Sequence, residues 1–164
     1  MLNEEIVKRL NEQVAKEMYA SNLYLSMSSW CFKNHYEGAG AFLFEHAGEE
    51  NNHAKKLITY LNETDSMVEI QAIKKPDNNF KNLLDVFEKT YQHELSITDS
   101  INNMVSFMLE HKDYSTFNFL QWYVAEQHEE EALFRNIIDK IKLIGEQANG
   151  LYLADQYIKS IVGK

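Results

Sequence analysis

Apolar residues recur at steps of three and four along most of this chain, which is helical period. The pattern predicts a first helix from about Glu4 to Lys33, with Asn3 as its cap, and a turn over Asn34-His35-Tyr36-Glu37-Gly38. It predicts a second helix from about Ala39 to Asn62. A third starts after Pro76-Asp77-Asn78-Asn79, where Pro and Asx residues mark a helix start, and continues to about His111. A turn at Lys112-Asp113 leads to a fourth ending near Gly145, and a short fifth covers Leu151 to Ile161. Between Thr64 and Asn79 the apolar residues Met67, Val68, Ile70 and Ile73 have no helical spacing.

A loop that long inside a compact domain needs a structural reason. A helix of about 25 residues is roughly 37 Å long, and about 15 extended residues reach roughly 50 Å. The segment can therefore carry the chain from one end of a bundle to the other, making helices two and three parallel. The expected fold is all-α: a four-helix bundle over residues 4–145, with one long crossover between helices two and three. With the short C-terminal helix at 151–161, the whole of 1–164 is expected to form one domain.

Each helix has a core line that a polar residue interrupts near its middle. Helix one reads Leu10, Val14, Glu17, Ser21, Tyr24, Ser28, and helix two Ala39, Leu43, His46, Glu50, His53, Leu57, Tyr60. Helix three reads Phe80, Leu84, Phe87, Tyr91, Glu94, Thr98, Ile101, Val105, Met108. Helix four reads Leu120, Tyr123, Gln127, Glu130, Phe134, Ile137, Ile141, Ile144. Mid-helix residues of a bundle share one layer whatever the helix directions. Glu17, Glu50, Glu94 and Glu130 should therefore converge, with His53 one turn from Glu50.

Convergence is costly without a counterion, because a buried carboxylate loses several kcal/mol of hydration and like charges resist ionisation together. The core lines hold no Lys or Arg. A pair of divalent cations would neutralise the set, and oxygen plus imidazole donors suit iron, manganese or zinc. Glu50-x-x-His53 is a recurring unit of helical di-iron sites, weak alone and stronger as one of four interruptions at one depth.

Composition narrows the reading further. One Pro and six Gly in 164 residues favour long helices. A net charge of −9 and a pI near 5.1 argue against nucleic acid as a partner. The single cysteine, Cys31, permits neither an internal disulfide nor a cysteine zinc site. No signal segment or membrane-spanning run is present, so the cytoplasm is the expected address.

The stretches LNEQVAKEMYASNLYLSMSSWC, GAGAFLFEHAGEENNH, TYQHE and DYSTFNFLQWYVAEQHEEEALF resemble bacterial non-haem ferritins, and the likeness runs over nearly the whole chain. The resemblance implies a ferritin-like bundle that stores iron and oxidises Fe(II) with O2 or H2O2. It implies that Glu17, Glu50 and His53 hold a first iron, that Glu50 bridges to a second also bound by Glu94, and that Gln127 and Glu130 complete that side. Tyr24 matches the family's tyrosine beside the pair, and Glu49, Glu126 and Glu129 match a third iron site. Trp122 matches a tryptophan near the centre. The resemblance further implies a shell of twenty-four identical subunits. Haem is not expected, since Asn51 offers no thioether. Ile97 stands at i+3 from Glu94 where a symmetric site would place His, so the second iron should be held more loosely.

Several residues have plainer readings. Trp122, Met18, Met27 and Met108 are expected to be core packing, and His46 a polar core filler. His93, His111 and His128 lie off the core lines and are expected at the surface. Helix one has extra apolar positions, Leu23, Met27 and Trp30, then Met18, Leu25 and Phe32, part of which should meet a neighbouring subunit. The competing function is a di-iron oxidoreductase of the rubrerythrin kind, which would need an electron-donor site; no Cys-x-x-Cys pair is present to build one.

Overall fold

A computed structural model describes residues 2–163. Its element order is α1 (Glu4–Lys33), α2 (Glu37–Glu63), α3 (Leu83–Glu110), α4 (Tyr114–Ile144) and α5 (Ala148–Ser160), with no strand among the described residues. The all-α expectation holds. The ends move: α2 starts two residues before Ala39, α3 starts at Leu83, and α5 begins at Ala148.

Side-chain caps set three of the starts. Asn3 Oδ1 accepts from Glu5 N at 2.9 Å, Asn82 Oδ1 from Asp85 N at 2.8 Å, and Asp113 Oδ1 from Thr116 N at 3.0 Å. No side-chain hydrogen bond from its own N-cap residue, Tyr36, caps α2. Its first amides are met from α5 instead: Gly38 N donates to Asp155 Oδ2 at 2.9 Å and Ala39 N to Oδ1 at 2.8 Å. Glycine is required at 38, where a Cβ would stand 2.2 Å from the Asp155 carbonyl oxygen.

Two apolar clusters fix the topology. One joins Leu23, Tyr24 and Met27 of α1 to Phe42 and Leu43 of α2, Val86 and Phe87 of α3, Phe134 and Ile137 of α4, and α5. The other joins Leu10 and Val14 of α1 to Leu57 and Leu61 of α2, Ile101 and Met108 of α3, and Leu120 and Tyr123 of α4. The first cluster thus takes the late half of α1, the early halves of α2 and α3, and the late half of α4. Helices α2 and α3 are therefore parallel, each antiparallel to its hairpin partner, as the crossover reading required.

The crossover is tied along α1. Buried Asn11 donates to the Met67 carbonyl at 3.1 Å and accepts from Glu69 N at 2.8 Å, while farther along the helix Ser26 Oγ donates to the Asp77 carbonyl at 2.8 Å. The α1 flank splits in two: Leu23 and Met27 belong to this chain's own core, whereas Leu25 and Phe32 are exposed. Between the two clusters lies the polar waist.

Candidate metal centre

The waist gathers the interruptions. Glu17, Glu50, His53, Glu94, Gln127 and Glu130 are all buried, and no Lys or Arg is buried among the described residues. Glu17 on α1 and Glu50 with His53 on α2 each offer one donor atom within 4.8 Å of the others. His53 Nδ1 lies 3.2 Å from Glu50 Oε2, the contact that i,i+3 spacing permits.

Each carboxylate is oriented by a neighbour. Gln13, buried, donates through Nε2 to Glu17 Oε1 at 2.7 Å. Ser100 Oγ donates to Gln13 Oε1 at 2.7 Å, which fixes the amide. Glu94 accepts from the Tyr24 hydroxyl and, at 2.9 Å, from Gln127 Nε2. Two oxygens are left over: Glu17 Oε2 and Glu50 Oε1 are buried and have no protein partner. A buried orphan acceptor is destabilising, and a bound cation would satisfy both. The residues present therefore fit a metal, with carboxylate and imidazole donors that suit iron.

Electrostatics point the same way. Burial pushes the Glu17 and Glu50 carboxyls well above their usual value, with charge from Glu50 acting on Glu17 and from Glu94 and Glu130 on Glu50. Burial also raises Glu94, partly countered by the hydrogen bonds from Tyr24 and Gln127. The Tyr24 phenol is raised by burial and by the Glu94 charge.

Glu130 is turned toward a residue expected to be filler. His46 Nε2 lies 2.9 Å from Glu130 Oε2, and His46 Nδ1 lies 3.1 Å from Glu49 Oε2. The trio His46, Glu49 and Glu130 forms a second group close enough for a cation. Burial lowers the His46 pKa, but the hydrogen bond and charge of Glu130 outweigh it and the net shift is upward. Glu126 approaches His53 Nε2 only at 3.7 Å, and Glu129 is exposed. The expected trio of Glu49, Glu126 and Glu129 is thus not drawn together; all three line a pocket of about 650 Å³ between α2 and α4, which Glu45 and His46 also line.

Two plain readings are corrected. Trp122 is 38% exposed, with its ring edge-on to His53 at 5.3 Å and Lys56 4.4 Å above its ring, because its position on α4 points beside the waist rather than into it. His93 is half-buried between Tyr19 and Tyr24, and burial plus the nearby Lys74 charge bring its pKa down to about 4. His111 and His128 are exposed as expected. Sequence reasoning missed Gln13, whose only local signal is its place one turn before Glu17.

The chain is similar to known proteins over nearly its whole length. Residues 7–144 match the family model described as ferritin-like domain. A curated relative from Campylobacter jejuni, named bacterial non-heme ferritin, is 76% identical over 161 residues, covering 98% of this chain and 96% of the relative. The bacterial non-heme ferritin of Escherichia coli O157:H7 is 45% identical over 98% of each chain. Among solved structures, the open-pore ferritin of the archaeon Archaeoglobus fulgidus superposes with a TM-score of 0.94 at 36% identity, covering 97% of this chain and 98% of that one.

Proposed function

The chain belongs to the ferritin family, and from that premise we propose that it stores iron and is a ferroxidase of the bacterial non-haem type. Fe(II) is the substrate and the ferric product the cargo. The observation that carries the reading is the waist: four glutamates from four helices, buried without a Lys or Arg counterion, two of them with an oxygen lacking any protein partner.

In this reading Glu17, Glu50 and His53 take one Fe(II), and Glu50, Glu94, Gln127 and Glu130 take a second, two ions per subunit. Glu50 lies next to both groups and is the natural bridge. O2 or H2O2 accepts the electrons, while the protein fixes the spacing of the two ions and excludes bulk water. Tyr24 steadies Glu94 through its hydroxyl. The second ion is held more loosely, because Gln127 is a neutral amide and Glu130 is shared with His46.

The α2–α4 side supplies the way out. Glu49, Glu126 and Glu129 stand apart along that pocket and would have to close on a third iron to hold it, with Glu130 turning between the centre and the pocket. The pocket's five glutamates attract cations and repel anions. Residues 1–164 act as one ferritin-like domain without haem, in a shell of twenty-four copies in the cytoplasm. Exposed Leu25, Phe32 and Phe44 on α1 and α2 are apolar surface available to neighbouring subunits.

The test is size-exclusion mass combined with iron content after aerobic Fe(II) loading. A large assembly retaining many more iron atoms than its ligand groups can bind supports storage. A small oligomer that oxidises Fe(II) yet retains only a few ions per chain supports a di-iron oxidoreductase instead.

A further inference from the structure

The α1–α3 side of the waist holds a row of three rings. Tyr24 donates its hydroxyl to Glu94, and its ring meets His93 edge-on, centroids 6.0 Å apart at 89°. His93 in turn meets Tyr19 at 5.7 Å. Both distances lie in the contact range of paired aromatic rings. Tyr19 and His93 line a pocket of about 620 Å³ between α1, α3 and the crossover, with Lys16, Lys74 and Gln71. The row therefore starts on a carboxylate of the proposed iron site and ends at solvent.

This side does not suit iron. Lys74 Nζ sits 4.9 Å above the Tyr19 ring, and Lys16 Nζ donates to Ser100 beside the same helices. Two ammonium groups outnumber the pocket's single carboxylate, Glu12, and leave it a net positive site that repels Fe(II). His93 Nε2 is buried without a partner, so no hydrogen-bonded proton path runs through that nitrogen. Rings in contact without a continuous polar chain pass electrons better than ions.

We propose that Tyr24, His93 and Tyr19 form a one-electron relay between the iron-oxidising centre and the Lys16–Lys74 pocket. The proposal rests on the ferroxidase reading above. Two Fe(II) supply two electrons, which take O2 only as far as H2O2. A further electron leaves the Tyr24 phenol for that oxidant; its proton passes to a Glu94 oxygen, leaving a tyrosyl radical. Tyr19 gives Tyr24 an electron across His93, and Tyr24 recovers its proton from Glu94. Tyr19 loses its own proton to water in the pocket. It is restored by one electron and one proton from a small water-soluble donor such as ascorbate. Two passages reduce H2O2 to water, the matching protons coming from solvent.

The test is freeze-quench electron paramagnetic resonance of the full-length protein after aerobic mixing with Fe(II), with and without ascorbate. Wild type, Tyr19→Phe and His93→Leu are compared, and initial Fe(II) oxidation is recorded in parallel. All three should show a tyrosyl radical and oxidise Fe(II) at similar initial rates. Ascorbate should hasten radical decay about tenfold in the wild type, equivalent to about 1.4 kcal/mol of barrier, and leave both variants nearly unchanged. Tyr19→Phe keeps the ring packing and carries the test alone if His93→Leu folds poorly. Equal quenching in Tyr19→Phe, or fast oxidation in the wild type without any tyrosyl radical, overturns the relay while leaving the ferroxidase reading intact. Slow Fe(II) oxidation by the wild type overturns the ferroxidase reading, and the relay with it.

Discussion

The two sides of the waist flank one carboxylate cluster with pockets of opposite charge. On the α2–α4 side Glu45, Glu49, Glu126, Glu129 and Glu130 line a pocket beside His46. On the α1–α3 side the pocket is lined by Lys16, Lys74, Tyr19 and His93, with Glu12 as its one carboxylate. A cation approaching the first pocket gains from every added glutamate, while the second opposes it. One bundle can thus separate traffic by charge. Helix faces decide which side each residue joins, because steps of three and four along α2 and α4 carry the glutamates to one surface.

Variants rank by how directly they touch the proposed iron pair. Glu17→Ala and His53→Ala should fold and lose rapid aerobic Fe(II) oxidation by about 100-fold or more, measured as the initial rise in ferric absorbance. Unchanged rates in either would erase the distinction between the sides, since the waist would then not be where oxidation happens.

The next effect is on metal-free stability. The folded-state pKa of Glu50 is raised above its usual 4.5, so its ionisation opposes folding at pH 8 and ceases to do so as pH falls toward 4.5. Metal-free Glu50→Gln should therefore be more stable than wild type at pH 8 by about 1–3 kcal/mol, with the gap closing near pH 4.5. Urea unfolding at both pH values measures this. An equal gap at the two pH values would mean that the cost at 50 is packing rather than charge.

Gln13 sharpens the contrast from the α1–α3 side. It orients Glu17 without belonging to the proposed ligand set. Gln13→Leu should raise the Fe(II) concentration needed for half-maximal initial rate by about tenfold, with the maximal rate less affected. The smallest effect is expected at Trp122, which is 38% exposed. Trp122→Leu should shift unfolding free energy by no more than about 1 kcal/mol.

Much of this was legible because local period carries it. The lines through α1, α2 and α4 put Glu17, Glu50, His53, Gln127 and Glu130 in the interior, and all are buried. Along α3 the buried stripe is wider than the single line of apolar positions. Leu83, Thr90, Ile97 and Met104 are buried where Leu84, Tyr91, Thr98 and Val105 are only partly so. A core-facing helix buries a stripe wider than one line, and Glu94 lies in that stripe either way. The same width half-buries His93. Asn11 and Asp155 leave no such trace, since their partners stand 58 and 117 residues away. His46 was on its line, yet its hold on Glu130 joins α2 to α4 and has no local signature.

The most direct measurement of the proposed site is an anaerobic calorimetric titration of metal-free protein with Fe(II), run on the wild type and on Glu50→Ala. Two ions per chain should bind tightly in the wild type. Glu50→Ala should lose both tight sites or keep only one weakened site, because in the proposed arrangement its carboxylate serves both ions. Wild-type binding of fewer than two ions, or two ions retained unweakened in Glu50→Ala, would contradict an iron pair held by the carboxylates of the waist.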